Sequence, residues 1–553
     1  MEQARLPIAI ALSFVVFLLW NIFFTPPAPP TPTVEETRQP TAVAPAPASP
    51  SETGPGTTPA APLSGTETAP TRPSGPIRQF TVDTPLYTVT LSEKGAAVID
   101  MALKKYREHV EPDAPAKSLV SPEMSGGSYL LSLNGDINDE LASGVYQSSE
   151  TRERIDLSRE SFSLHFSTQT NDGLQVEKVY SFSPDSYLIG LSVNVFNGGP
   201  TPRATPLQMT LRSIMTLEKQ SYGFEGPSGL IDNSLVQVKP KDIEEKQTNE
   251  GLVRWVSNES RYFMNSLVPR EALQGQMVPE YQDKILSNHL ILKSDPIAPQ
   301  QKRSFEFGLF MGPKSLSVLR SLNNELDRAI DFGWFDFIAR PCLWFMNFIY
   351  GFIPNYGIAI IILTIVTRVA FWPLAGKSYK SMSEMRKLQP LMQEIREKYK
   401  NDKARMNQEI MGLYRTYKIN PMGGCLPMLV QLPVFFALYQ MLYQAIELRH
   451  APFLGWINDL AAPDRLFDFG VSIPLMQPPF GIPVLTLVMG ASMFLQQKMS
   501  PPPGDPAQAR MMMLLPIVFT FIFINFPSGL VLYWLVSNIV SIGQQYYTQK
   551  KMA

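Results

Sequence analysis

An arginine interrupts an apolar run in the carboxy-terminal half of the chain. Arg368 lies within "IILTIVTRVAFWPL", residues 361–374, and Thr364 precedes it by one helical turn, on the same face. A guanidinium keeps its proton, and facing lipid alone it would cost from roughly 3 to over 10 kcal/mol. The side chain could snorkel to nearby headgroups, or water in a polar cavity could solvate it. In a cavity the cation would attract acidic groups, by roughly 4 kcal/mol at ~4 Å and intermediate dielectric.

The apolar segments that would surround Arg368 contain polar side chains but no acidic ones. Glu447 and Asp459 lie beyond these segments, so water is the expected partner of the guanidinium. The groups that could hold this water are Thr364, Thr367, Gln431, Gln440, Gln496, Gln497, Asn525, Ser537 and Asn538. For the glutamines, hydrogen bonding between helices is the alternative.

Five apolar segments predict the membrane-spanning helices that would position these groups. Within a core at 351–548 they cover about 353–373, 426–443, 482–497, 511–526 and 529–546. An amino-terminal run at 1–24 is long enough for a further span. Proline follows that run where a cleavage site of small residues would be expected, which favours an uncleaved anchor over a signal peptide.

The most basic loop connects the first two of the five core segments. Residues 377–420 have apolar residues at helical spacing on both sides of a polar turn, which predicts a two-helix hairpin. The positive-inside rule places this hairpin in the cytoplasm, together with both termini. The candidate functional residues of the hairpin are Arg386, Lys387, Arg396 and Lys398. For any one of its lysines, a solvated surface charge is the alternative.

The region before the core changes composition twice. Residues 25–77 are rich in proline, alanine and threonine and predict a disordered linker. Residues 78–313 alternate apolar and polar side chains, as in "YLIGLSVNV" and "FEFGLFM", and predict one large all-β sandwich. In 314–350, leucines at helical spacing and later aromatic residues predict an amphipathic helix along the outer membrane interface.

The remaining chemistry-bearing residues do not converge on a catalytic or metal site. His109, His165 and His289 are scattered, and no nucleophile–base or paired-carboxylate spacing accompanies them. Cys342 and Cys425 have neither a C-x-x-C pattern nor a nearby histidine. The net charge of −1 gives no indication of nucleic-acid binding. The sequence therefore predicts neither an enzyme nor a cofactor.

Several motifs occur in an order that resembles a known family. They are "LTIVTRVAFWPL", "KINPMGGCLPMLVQLPVFFALYQML", "FLQQKMSPPP" and "FPSGLVLYWLVSN", preceded by an anchor and a β domain. Together they resemble the YidC membrane protein insertases of Gram-negative bacteria. The resemblance implies an α + β membrane protein of the bacterial inner membrane. Its parts would be an N-terminal anchor helix, a large periplasmic β-supersandwich domain and a five-helix transmembrane core with a cytoplasmic helical hairpin.

The resemblance also implies a site and partners. Arg368 would be the positive charge of a hydrophilic groove open to cytoplasm and lipid, with Thr364 and Trp534 at matching groove positions. Many relatives have tyrosine where this chain has Trp534. Gln431 and Gln497 complete the predicted groove. The implied partners are nascent membrane proteins, which the chain would insert and help to fold, the Sec translocon and the lipid bilayer. The ribosome and the signal recognition machinery are candidate partners of the hairpin.

Three other classes of function were compared with this prediction. A secondary transporter would need inverted repeats and intramembrane acids, and the sequence shows neither. A membrane-anchored enzyme would need a convergent catalytic set in the β domain, and none stands out. A purely structural assembly factor or chaperone is not separated from an insertase by the sequence.

Overall fold

The computed structural model describes most of the chain from residue 76 onward. The described ranges are 76–133, 139–203, 207–215, 223–239, 242–243, 245, 248–293, 295–417, 426–499 and 506–552. The predicted anchor at 1–24 and nearly all of the predicted linker at 25–77 lie outside these ranges. So do the "NPMGG" segment and the side chain of Arg386.

The amino-terminal part of the described chain is built from β-strands. These are β1 (Gln79–Asp83), β2 (Tyr87–Ser92), β3 (Ala97–Arg107), β4 (Ala116–Val120), β5 (Leu130–Ser132), β6 (Arg154–Asp156), β7 (Phe162–Gln169), β8 (Leu174–Phe182), β9 (Leu188–Asn197), β10 (Leu207–Ile214), β11 (Gly226–Ile231), β12 (Ser234–Gln237), β13 (Asn249–Glu259), β14 (Phe263–Pro269), β15 (Leu273–Gln282), β16 (Ile285–Leu292) and β17 (Lys302–Pro313). A short helix, α1 (Glu140–Ser143), lies between β5 and β6.

The strands form two sheets whose inner faces share one core. A five-stranded sheet has the order β4-β3-β2-β1-β6, and a twelve-stranded sheet runs β5-β10-β16-β15-β13-β14-β17-β9-β8-β7, with β11 and β12 attached to β13. The ring centroids of Phe80 in the first sheet and Phe166 in the second are 5.6 Å apart. This packing confirms the predicted β-sandwich character of the region.

The period-2 patterns correctly predicted the buried faces. In "YLIGLSVNV" the side chains of Tyr187, Ile189, Leu191, Val193 and Val195 are all buried, at 6% exposure or less. Each faces the core because alternate side chains of a strand point to opposite faces of the sheet. The alternation in β17 is less regular, since Phe310 is as fully buried as its neighbours Leu309 and Met311.

The region after the last strand is not the single amphipathic helix that the leucine spacing predicted. Helix α2 (Leu316–Ser321) ends early, and a 3-10 turn follows at Leu326–Ala329. Between them Asn323 and Glu325 have φ values of 52° and 60°, which an α-helix does not accommodate. The leucines of this segment nevertheless face the core, because Leu316, Leu319 and Leu326 are all buried in it.

The carboxy-terminal part of the chain is helical. A 3-10 turn at Gly333–Phe335 leads into α3 (Asp336–Phe352), followed by α4 (Tyr356–Ala370), α5 (Trp372–Lys398), α6 (Lys403–Thr416), α7 (Leu426–Gln444), α8 (Val484–Met499), α9 (Pro506–Phe523) and α10 (Ser528–Met552). Another 3-10 turn, Ile446–Leu448, follows α7. Helix α10 packs against α4, α5, α7 and α8 and so occupies the centre of this helical part.

Helix α4 and helix α5 meet at a sharp bend rather than forming one continuous span. Phe371 is the break between them, and Pro373 lies in the first turn of α5, where a missing N–H costs no helical hydrogen bond. Taken one at a time, the described helices are all too short or too polar to cross a bilayer. Tyr356–Ala370 and Trp372–Met385 would suffice together, but they meet at 60°.

Two arginines join the sandwich to the helices. The Nη2 atom of Arg449 donates hydrogen bonds to the backbone carbonyls of Arg107 and Glu108, at 2.7 and 3.1 Å. The Nε atom of Arg261 donates to the carbonyl of Tyr443 at 2.8 Å. Glu447 is half-buried at the same junction, where desolvation raises its pKa. The end of α7 is therefore fixed to the sandwich by side chains from both parts.

Candidate functional site

Arg368 lies in the last turn of α4 and contacts two other helices. Its Nη1 atom donates to Oε1 of Gln431 in α7 at 3.1 Å, and its Nη2 atom donates to Oγ of Ser537 in α10. Tyr379 and Tyr533 are close enough to interact electrostatically with the guanidinium. Among the residues that the structure describes, no carboxylate lies within salt-bridge distance of it. The charge is held by neutral acceptors.

The guanidinium of Arg368 has more N–H donors than hydrogen bonds to the protein. Of its five N–H donors, the two hydrogen bonds to Gln431 and Ser537 use two. None of its nitrogen atoms is both enclosed and without a partner, whereas the Nε atoms of Arg203 and Arg212 are. The Nε atom of Arg368, which has no acceptor among the described residues, is therefore accessible.

Helix α10 carries a row of buried polar residues that begins at the arginine. Ser537, Asn538, Ser541, Gln544 and Gln545 are all at most 5% exposed. Asn538 donates to Ser492 in α8, Gln544 to the carbonyl of Trp372, and Gln545 to the carbonyl of Met499. Sequence analysis identified only the first two of these five residues. The others repeat at spacings of three and four, a signal that marks one helical face.

Trp534 belongs to an aromatic cluster rather than to the contacts of Arg368. Its ring lies 4.3 Å from that of Phe523, 4.8 Å from Phe435 and 6.2 Å from Phe519, measured between centroids. These rings come from α7, α9 and α10. Offset and edge-to-face packing of this kind contributes energy beyond the area it buries. Trp534 therefore fixes how the three helices pack.

The polar and aromatic contacts form two adjacent layers. Gln431 and Phe435 are one turn apart on α7, and Ser537 and Trp534 are nearly one turn apart on α10, so each pair shares a face. Helices α7 and α10 are antiparallel. Gln431 and Ser537 both contact Arg368, whereas Phe435, which comes later on α7, contacts Trp534, which comes earlier on α10. The end of α7 that contacts the sandwich lies beyond Phe435. The aromatic layer therefore separates the arginine from the sandwich.

The other predicted groove residues are placed differently. Thr364 is only 1% exposed, and its hydroxyl donates to the carbonyl of Ile360 in its own helix, at 2.6 Å. Gln497 is half-buried near the end of α8, outside the hydrogen bonds of Arg368. Gln440 accepts from Gln444 at 3.1 Å, beside the sandwich. Of the predicted glutamines, the structure brings Gln431 to the arginine.

The hairpin cations lie on α5, which packs against α6. Lys387 and Lys398 are exposed, and the Nζ atom of Lys398 lies 5.5 Å from the ring centroid of Tyr399. Arg396 is half-buried and interacts electrostatically with Tyr414. Asp402 caps α6 by accepting from the backbone N–H of Arg405. The exposed lysines are available to a partner, whereas Arg396 also contributes to the packing of the two helices.

The histidines of the sandwich do not form a site together. His165 is exposed, with Nδ1 3.3 Å from a carboxylate oxygen of Glu177. His289 is buried, and its Nδ1 atom contacts Thr210 at 2.9 Å. Burial lowers the pKa of His289, so this ring is held neutral by its surroundings. Groups of histidine, cysteine, aspartate or glutamate that could hold a metal ion do not occur within the described residues.

Comparison with known proteins gives the family. The model of the family described as "60Kd inner membrane protein" matches residues 348–553, and that of the "YidC periplasmic domain" matches residues 79–345. The chain belongs to the YidC family of membrane protein insertases. The insertase YidC of Syntrophobacter fumaroxidans is 39% identical over 561 residues, covering 99% of this chain and 100% of that protein. The insertase YidC of Syntrophus aciditrophicus is also 39% identical over 561 residues, covering 98% and 99%.

The family assignment covers both parts of the described structure. YidC proteins are inner membrane proteins with a periplasmic domain, and here that domain is the β-sandwich. A crystal structure described as an active YidC insertase with its first transmembrane domain resolved shares 17% sequence identity with this chain. It covers 84% of this chain and 91% of its own, with a TM-score of 0.37, which is too low to support a detailed comparison.

Proposed function

We propose that this chain inserts membrane proteins by presenting Arg368 to acidic groups of its clients. The observation that supports this proposal is that the guanidinium has two neutral acceptors and an accessible Nε that has no acceptor among the described residues. Neutral acceptors fix the side chain without cancelling its charge. Water would occupy the remaining donors until a client carboxylate replaces it.

The attraction is large enough to bias insertion. A client carboxylate at ~4 Å would gain roughly 4 kcal/mol at an effective dielectric of about 20, and roughly 2 kcal/mol at ~8 Å. A hydrated cavity also shortens the low-dielectric path that a polar segment must cross. Client segments with acidic residues would therefore gain most from Arg368.

We infer a topology in which the sandwich is periplasmic and the hairpin is cytoplasmic. The basic residues of the hairpin support this orientation through the positive-inside rule. The five apolar segments, at about 353–373, 426–443, 482–497, 511–526 and 529–546, would then form the membrane core. In this orientation the Phe435–Trp534 layer lies on the periplasmic side of Arg368 and closes that end of the groove, while the cytoplasmic end remains open.

The proposed partners follow from the family resemblance and the exposed charges. Lys387 and Lys398 are exposed cations that would suit anionic surfaces of the ribosome or the signal recognition machinery. Cooperation with the Sec translocon and chaperone activity during folding are proposed on the resemblance alone. No covalent step is proposed, because Arg368 acts by electrostatic attraction and by solvating polar segments.

The proposal is tested by reversing the charge at position 368. Full-length wild-type, Arg368→Glu and Arg368→Gln chains are reconstituted in proteoliposomes, and insertion is measured for matched clients with acidic or neutral translocated segments. The acidic client should lose more activity than the neutral client, and Glu should be worse than Gln. Equal losses for both clients would show that Arg368 does not act by attracting the client. Photocrosslinking from position 534 reports whether clients reach the aromatic layer.

A further inference from the structure

The loop between α7 and α8 ends in an apolar hairpin whose one charged residue, Asp468, lies near its base. Residues 466–482 form it, and an antiparallel bridge between Leu466 and Ile482 closes its base. From Phe469 through the first thirteen residues of α8 the sequence contains no aspartate, glutamate, lysine or arginine.

The side chains of this hairpin point away from the rest of the protein. Leu475 is 87% exposed, Phe467 69% and Val471 65%, and Phe469 is about half exposed. Single exposed apolar residues are ordinary on a soluble surface, whereas a contiguous set indicates an interaction surface. Helix α8, which begins two residues after the hairpin, also exposes the apolar side chains of Leu487 and Val488.

The backbone of the hairpin is nevertheless held in place. Asn525, in the turn between α9 and α10, donates to the carbonyl of Leu475 at 2.9 Å and accepts from the N–H of Gln477 at 2.9 Å. Asp468 accepts from the N–H groups of Gly470 and Phe480 at 3.0 and 3.2 Å. These contacts hold the tip although Leu475 has a φ of 65°, a conformation that bulky residues rarely adopt.

Arg465 ties the hairpin base to the helices. Its guanidinium donates to the carbonyls of Pro479 and Ile524 at 2.9 and 2.8 Å, and to Oδ1 of Asn525 at 3.2 Å. Part of the hairpin backbone is thus paired within the protein, while the N–H groups of Val471, Ser472 and Leu475 at its tip have no hydrogen bond among the described residues. Such groups are costly in the hydrocarbon core and need the hydrated interface.

We propose that the tip of the hairpin 466–482 enters the outer interface of the bilayer, with its backbone at hydrated depth and the side chains of Leu475 and Val471 reaching the acyl chains. Its occupant is lipid rather than a protein partner, because the exposed side chains of the tip are large and apolar and residues 469–482 carry no charge. Asp468 and Arg465, at the base, would lie at headgroup depth. This inference rests on the multi-pass topology proposed above and is independent of the role of Arg368.

The test measures the depth of spin labels in the full chain reconstituted in phospholipid vesicles. Cys342 and Cys425 are replaced with serine, and single cysteines are introduced as Leu475→Cys or Val471→Cys. Val518→Cys, on an exposed apolar position of α9, is the lipid-facing reference, and Ser163→Cys, exposed in β7, is the aqueous reference. Collision of each label with oxygen, which partitions into lipid, is compared with collision with a water-soluble nickel chelate.

The proposal predicts that labels at 475 and 471 show an oxygen-to-nickel ratio several-fold above that at 163 and close to that at 518. A ratio like that at 163 would place the hairpin in water and overturn the inference. Protection from both reagents at 475 and 471 would mean that protein covers the hairpin, and would also overturn it. If the label at position 518 were also accessible to nickel, the proposed multi-pass topology would be wrong. If only the labels at 471 and 475 were accessible, the topology would stand and the hairpin proposal alone would be wrong.

Discussion

Replacing Gln431 with glutamate would cancel the charge of Arg368 while preserving its contact. The amide oxygen of Gln431 already accepts a hydrogen bond from the guanidinium at 3.1 Å. Glutamate has nearly the same shape and places a carboxylate oxygen at the same point. The variant therefore separates the positive charge of the site from the shape and hydrogen bonding of its surroundings.

The expected magnitude follows from the distances. At 3.1 Å the new ion pair would gain roughly 5 kcal/mol at an effective dielectric of about 20, and desolvation of the carboxylate would offset several kcal/mol of that gain. The stability of the chain should thus change little. A client carboxylate would lose most of its attraction, which is roughly 2 kcal/mol at ~8 Å, or about a thirtyfold weaker interaction.

The assay is insertion of matched acidic and neutral clients into proteoliposomes. Gln431→Glu should reduce insertion of the acidic client by about one order of magnitude and leave the neutral client nearly unchanged. Gln440→Glu is the matched control, because Gln440 is on the same helix but contacts Gln444. Wild-type insertion of the acidic client by Gln431→Glu, with thermal stability retained, would refute the electrostatic role of Arg368. An equal defect in Gln440→Glu would show that the effect of Gln431→Glu does not depend on its contact with Arg368.

Two further predictions concern buried charges of the sandwich, measured as thermal unfolding of the full chain in detergent. Lys314 and Glu259 form an ion pair at 2.6 Å, with side chains 6% and 0% exposed. Lys314→Met should destabilise the chain by roughly 3–5 kcal/mol, because it leaves the buried carboxylate of Glu259 without its partner charge. The double variant Lys314→Met, Glu259→Leu should recover much of the lost stability. A double variant as unstable as the single one would contradict this explanation. Burial lowers the pKa of Lys178 to about 7. Above that pH the unfolded chain binds a proton that the folded chain lacks, so stability should rise from pH 7 to 9, and Lys178→Met should remove that part of the rise. An unchanged slope would contradict it.

Local sequence patterns predicted the strands and the lack of an acidic partner for Arg368. The alternation of "YLIGLSVNV" determines which face of β9 is buried, because the pleat of a strand needs no information from distant residues. The absence of acidic residues from the apolar segments likewise restricts Arg368 to neutral partners. Both inferences rest on residue types in a short window of sequence.

Contacts between distant residues could not be predicted in this way. Gln431 and Ser537 are 63 and 169 residues from Arg368, and only the packing of three helices brings them to it. Thr364 has the correct spacing, but its hydroxyl has a closer acceptor in its own backbone. The break in the leucine-rich segment after β17 also escaped prediction, since left-handed conformations at Asn323 and Glu325 leave no mark in the spacing of apolar residues.

Arg465 and Arg368 differ in how completely their guanidinium groups are hydrogen-bonded. Arg465 has an acceptor for each of its five N–H donors, from Asp464, Gln477, Pro479, Ile524 and Asn525. Such a shell satisfies the cation completely and leaves no donor for a ligand, which suits a residue that fixes a loop. Arg368 has two neutral acceptors and an accessible Nε without an acceptor among the described residues. Arg465 is therefore suited to fixing a loop, whereas Arg368 is incompletely hydrogen-bonded. It lies where α4, α7 and α10 meet, and a client could supply the acceptors that its guanidinium lacks.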